Sequence, residues 1–294
     1  MNIVAWLILC LIWGSTWIFI KIGLEAGLPP ITFSAARFGL AILILGPLIK
    51  LLGFRMPSTR SEWKLIALTG FLQFSLNYSA VFWSEQYITS GLAAVLQATI
   101  TVFGLILAWF FLPSEKMTKA KVIGVAVGVI GVAVIFIDQL RVESRMAFLG
   151  CAAIVAGAYA AAQASILVKA KGGSLHPASL VFSQMMCGLP AIIAYAFIAE
   201  GNPFKLNWSW TAILCVIYLT VAGTIAAFWL YYWLLSRIDS TKAMMISLVT
   251  PLLAVIIGGI FLGETLPPQT FFGGLLILAS IGLIVVKRSE QRTE

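Results

Sequence analysis

Apolar residues run through the chain in ten long blocks, at 3–20, 31–52, 64–82, 90–112, 119–137, 147–168, 177–199, 210–235, 242–262 and 269–286. Short clusters of charge, proline and glycine separate them. Each block is close to the roughly 20 apolar residues that cross a bilayer as one helix, and none shows the strict alternation of a half-buried strand. The pattern predicts an all-α integral membrane protein with ten transmembrane helices. Pro30 and Pro177 open blocks, where a missing N–H costs little. Pro47, Pro190 and Pro251 fall inside blocks, where neighbouring helices must satisfy the freed backbone groups.

Composition narrows the choice. The 294 residues are 61% hydrophobic and 10% charged, against about 45–50% and 25% in soluble domains. Ten crossings use roughly 200 residues and leave only short loops, so no folded extramembrane domain fits. The net charge of +8 is dispersed among those loops, which argues for membrane orientation and against a nucleic-acid partner. With the amino terminus inside, fourteen Lys and Arg fall in inner loops, four (Lys21, Arg141, Arg145, Lys205) in outer ones, and Arg37 inside a helix. That bias predicts both termini in the cytoplasm and a multi-pass protein of the cell membrane. The amino terminus lacks a basic n-region and a small-residue cleavage site, as a retained first helix would. Four cysteines without CxxC spacing suggest neither a disulfide framework nor a zinc site.

The two halves of the chain resemble one another. At an offset of 150, Gln97, Thr101, Gly104 and Ala108 of helix 4 match Ser247, Pro251, Ala254 and Gly258 of helix 9. Trp83 matches Trp233, and Pro30 with Arg37 matches Pro177 with Gln184 at 147. Both helices 4 and 9 end in Phe-Leu and a glutamate, Glu115 and Glu264, placed beside loops where solvation is expected. The division predicts a first repeat over 1–139, a second over 147–287 and a short cytoplasmic tail at 288–294. Each repeat carries five helices. Five is odd, so the halves must enter the membrane in opposite senses, as in many secondary transporters.

Polar residues at helical spacing mark candidate interior edges. Helix 3 carries Gln73 and Asn77, helix 4 Gln97 and Thr101, helix 6 Tyr159 and Gln163, helix 8 Thr220 and Thr224, helix 9 Ser247. Interhelical hydrogen bonding is the alternative to a shared polar cavity. Trp13 and Trp17 stand one turn apart on helix 1, on a cavity wall or in an interfacial belt. The substrate-binding candidates are Trp17, Asn77, Gln97, Thr101, Tyr159, Gln163, Thr224 and Ser247. Arg37 lies roughly 9–10 Å inside helix 2, where it either snorkels outward or pairs with Glu85 as an outer gate or proton site. Gly124, Gly128 and Gly131 on helix 5, with the glycines of helix 10, suit tight packing or a homodimer surface. His176 stands alone, and no nucleotide-binding loop, nucleophile elbow or HExxH is present. A catalytic cluster, a cofactor, a metal site and ATP-driven pumping therefore all lack residues to carry them.

Several motifs carry a family resemblance. Trp13-Gly-Ser-Thr-Trp-Ile-Phe-Ile-Lys-Ile-Gly, Arg37-Phe38 seven residues after Pro30, Phe111-Leu-x2-Glu-x2-Thr118 and Phe261-Leu-Gly-Glu264 are similar to those of EamA-type members of the drug/metabolite transporter superfamily. The resemblance spans nearly the whole chain. It implies ten helices, a central cavity lined mainly by helices 1, 3, 4, 6, 8 and 9, and export or exchange of small metabolites. Gln184 in place of a second arginine and Pro267-Pro268 after Glu264 depart from that pattern. Together these readings predict a secondary active transporter of small metabolites or amphipathic solutes such as amino acids, working by alternating access. The expected partners are a small-molecule substrate, the lipid bilayer and a coupled proton, with the chain a monomer or homodimer; a passive channel is the competing reading.

Overall fold

The computed structural model describes residues 2–84, 86–202, 206, 208–262 and 268–286. Among these residues the chain forms helices and turns, and no strand. Ten rods follow one another: α1 (Asn2–Glu25), α2 (Pro30–Leu51), α3 (Arg60–Ser84), α4 (Ser90–Gln97 and Thr99–Phe111), α5 (Lys119–Ile135), α6 (Arg145–Lys171), α7 (Pro177–Ala199), α8 (Trp210–Leu235), α9 (Ser240–Met244 and Ile246–Leu262) and α10 (Pro268–Val286). Eight of them, α1–α4 and α6–α9, are long and apolar enough to cross a membrane.

Local chemistry sets where the rods begin. Thr59 accepts from the Glu62 amide while the Glu62 carboxylate accepts from the Thr59 amide, a capping box that starts α3 four residues before its apolar block. Ser209, at an offset of 150 from Thr59, caps α8 through the Ala212 amide. The interior prolines 47, 190 and 251 all lie within helices. Apolar side chains such as Leu43, Ile198 and Trp210, 71%, 85% and 80% exposed, face outward. A surface of that kind is stable against lipid and not against water.

Helix contacts follow the sequence repeat. α1 packs on α9 and α8 as α6 packs on α4 and α3, α2 crosses α8 as α7 crosses α3, and α2–α7 and α5–α10 pair across the halves. The glycine stripes meet inside the chain: a Cβ on Gly131 would lie 2.8 Å from the Gly273 carbonyl, and one on Gly273 2.5 Å from the Gly131 carbonyl. The α5 stripe is therefore covered by α10.

Two features were not expected from the apolar pattern. α3 widens to a π-helix over Phe71–Asn77, and α8 does so over Val221–Ala226. They stand at the same offset of 150. A π turn shifts hydrogen bonding to i→i+5, and both segments lie where another helix crosses.

Candidate functional site

A cavity of about 190 Å³ opens between the two halves. α1 lines it with Trp13, Thr16, Trp17 and Ile20, α3 with Gln73, Asn77, Tyr78, Val81 and Phe82, and α4 with Gln97 and Ile100. α6 adds Ala161 and Ser165, α8 adds Phe228 and Tyr231, and α9 runs along it from Ala243 to Thr250. These are the six helices the resemblance implied. A seventh, α2, contributes a single side chain, Arg37.

Arg37 is 3% exposed and turned inward, so it does not snorkel to the surface. Its Nε and Nη2 donate to Thr224 Oγ1 at 3.0 and 2.9 Å, and Nη2 also reaches the Gly223 carbonyl at 3.3 Å. That carbonyl belongs to the π segment of α8, and it accepts from Trp13 Nε1 as well, at 3.3 Å. Thr220 Oγ1 donates back to the Arg37 carbonyl at 3.2 Å. The guanidinium carbon stands 5.2 Å from the Phe38 ring centre and 5.5 Å from that of Tyr78, distances at which ring faces attract a cation. The suggested partner Glu85 lies outside the described residues.

The aromatic wall is continuous. Trp13 packs on Phe228 and Tyr231 at centroid distances of 5.5 and 5.3 Å, and Tyr231 donates to Ser165 Oγ at 3.0 Å. Opposite it, Gln97 Nε2 donates to Asn77 Oδ1 at 3.1 Å, joining α4 to α3.

The sequence-derived residues separate into three groups. Trp17, Asn77, Gln97 and Ser247 line the cavity. Thr101 and Thr224 stand behind its wall, each fully buried: Thr224 holds Arg37, and Thr101 is bonded to Ser247 Oγ at 2.8 Å and the Met244 carbonyl at 3.1 Å. Tyr159 and Gln163 are not among the lining residues; Tyr159 is 46% exposed and packs edge-on to Phe103. The faces of α4 and α9 do meet, and below Thr101 the meeting is a packing seam. A Cβ on Gly104 would stand 2.0 Å from Met244 Sδ. Trp13, Gln73, Tyr78, Ser165 and Tyr231 were missed as lining residues, although Gln73 and Trp13 belonged to polar or aromatic pairs already visible in the sequence.

Glu115 departs from expectation. It is 6% exposed, with its carboxylate accepting from the Ser240 amide at 2.9 Å and from Ser240 Oγ at 2.6 Å. Lys169 Nζ lies 2.8 Å away and also donates to the Leu235 and Ile238 carbonyls. The ion pair ties the end of α4 to α6 and to the start of α9, where the positive end of the helix dipole favours the carboxylate. Its counterpart Glu264 lies outside the described residues.

Comparison with known proteins decides the family. The EamA-like transporter family profile matches residues 1–137 and again 148–286. The chain belongs to that family. Relatives of this EamA-like transporter include the uncharacterized transporter YoaV of Bacillus subtilis, 25% identical over 92% of each chain. The uncharacterized inner membrane transporter YedA of Escherichia coli is 27% identical over 93% of this chain and 87% of its own. A probable terminal-alkyne amino-acid exporter of Streptantibioticus cattleyicolor is 28% identical, covering 96% of this chain and 92% of that one. A solved crystal structure shares the fold, with a TM-score of 0.84 at 14% identity over 99% of this chain and 98% of its own. The protein is thus a transporter, and its apolar helices place it as a multi-pass protein of the plasma membrane.

Proposed function

We propose that this EamA-like transporter moves small amphipathic metabolites, amino acids among them, by alternating access around the central cavity. On this reading α1–α5 and α6–α10 are inverted repeats, all ten helices cross the membrane, and both termini are cytoplasmic. The observation that carries the reading is the cavity itself. It is lined by helices of both repeats, and the helix contacts around it are paired as the repeat requires, the arrangement in which secondary transporters hold substrate at the repeat interface. The volume of about 190 Å³ lies below the roughly 300–1,000 Å³ of drug-sized sites, which suits a small metabolite. The amino-acid class is supported by the name of the Streptantibioticus relative.

The test is counterflow in proteoliposomes. Preloading with unlabelled solute should accelerate uptake of the same labelled solute, because exchange requires alternating access. Ser247→Trp, which fills the cavity from α9, should abolish exchange in folded protein. Uptake that preloading does not accelerate would replace the reading with a passive channel.

A further inference from the structure

We infer that the substrate bears a carboxylate, and that Arg37 is its anchor. This rests on the transporter reading and deepens it. Among the described residues that line the cavity, Arg37 is the one charged side chain and none is acidic. Its described partners are neutral: the Thr224 hydroxyl and the Gly223 carbonyl, engaged by Nε and Nη2, and the Tyr78 hydroxyl. A guanidinium has five N–H donors in a planar fork and stays protonated. With three of those donors engaged by Thr224 and Gly223 and a fourth directed at the Tyr78 hydroxyl, at least one remains for a ligand, on a side chain that borders the open space.

A permanently charged group at membrane depth is costly unless it is paired or hydrogen-bonded, and here the described residues supply dipoles and ring faces but no countercharge. A carboxylate entering the cavity supplies it, through charge-assisted bonds that are about twice as strong as neutral ones. Thr224 and Gly223 hold the guanidinium from behind and Thr220 holds the Arg37 carbonyl, so little ordering remains when the anion arrives. The rest of the wall sets the body of the solute. Trp13, Trp17, Phe82, Phe228 and Tyr231 present apolar rings, which favour a short aromatic or aliphatic chain behind the carboxylate. A cationic solute meets the wrong sign at Arg37, and a neutral one leaves its charge unmatched.

The experiment is ligand-induced thermal stabilisation of the purified full-length protein. The probes are 3-phenylpropionate, hexanoate and L-phenylalanine, each beside its primary amide at millimolar concentration. Each acid should bind at least tenfold more tightly than its amide, the factor expected from losing a hydrogen bond to a charged group. Arg37→Lys should keep the acid preference with weaker binding, and Arg37→Gln should erase it. If the Arg37 variants do not fold, the acid–amide pairs on the unmodified protein decide alone. Amides binding as well as acids, an acid preference that survives in Arg37→Gln, or no stabilisation by any acid would each overturn the assignment. Counterflow of a neutral or cationic solute against which no acid competes would overturn the anchor and leave the transporter reading intact. Absence of counterflow with an acid that binds would instead strike that reading.

Discussion

Arg37 on α2 and Gln184 on α7 stand 147 residues apart, each where its helix crosses another beside a π segment, yet their surroundings differ in kind. Gln184, on α7, donates to Thr69 Oγ1 at 2.7 Å where α7 crosses α3 beside the first π segment. That crossing is fully buried and nearly backbone to backbone. A Cβ on Gly70 would stand 2.4 Å from the Gln184 carbonyl, one on Gly188 2.8 Å from the Gly70 carbonyl, and Ser75 Oγ closes the contact at 2.7 Å from the Gly188 carbonyl. Arg37, on α2, meets α8 beside the second π segment, but its crossing borders the cavity. One copy of a shared framework is sealed and neutral, and the other is open and charged. The same helix crossing thus serves as a rivet on one side and as part of a binding wall on the other.

The comparison is broken most severely by moving the charge. Gln184→Arg puts a guanidinium into the sealed crossing, with a longer side chain and no open space. It should lower stability by about 3 kcal/mol or more, combining the insertion cost of a charge with overpacking. Thermal unfolding in detergent measures it, and a stability equal to that of the unmodified protein would show that the two crossings do not differ as described. A smaller effect is expected from Thr224→Val, which removes the hydroxyl that holds Arg37. The loss should be about 1–3 kcal/mol, because a charged donor is left unmatched, whereas Thr69→Val at the neutral crossing should cost about 1 kcal/mol or less. Equal losses at the two threonines would remove the distinction. The smallest effect is Ser75→Ala, at about 0.6 kcal/mol, the usual size of one interhelical hydrogen bond in a membrane protein. Transport should be unchanged, since Ser75 does not line the cavity.

The fold was largely legible because block length and charge clusters are strong signals in a chain built for lipid. Helix ends moved where polar caps extended a rod beyond its apolar block, as at Thr59 and Glu62. The π segments left no mark in the sequence: Phe71–Asn77 and Val221–Ala226 contain no proline and read as ordinary apolar helix. The helices packed against them, α6 and α7 on the first and α2 and α1 on the second, are all distant in sequence. At the site, i,i+4 pairs identified polar edges but not always which edge turned inward. Asn77 and Gln97 face the cavity, while Tyr159 and Gln163 do not, because a helix that is apolar all round offers no moment to fix its rotation. Arg37 was visible as a charge, and only the packing of α2 on α8 gives its direction. Glu115 was misplaced for the opposite reason. A carboxylate at a loop reads as solvated until its lysine, fifty-four residues later, is seen beside it.

The paired π segments also bear on ancestry. A π turn amounts to one residue added to a helix, and here the addition stands at the same register in both halves, 150 residues apart. Two separate additions at one register would be a coincidence, whereas a single addition in a five-helix ancestor, copied when the gene doubled, needs none. A duplication would then leave the widening of α3 and α8 as the older feature and the difference between Arg37 and Gln184 as the younger. We propose this order of events; a set of relatives carrying the widened turn in only one half would reverse it.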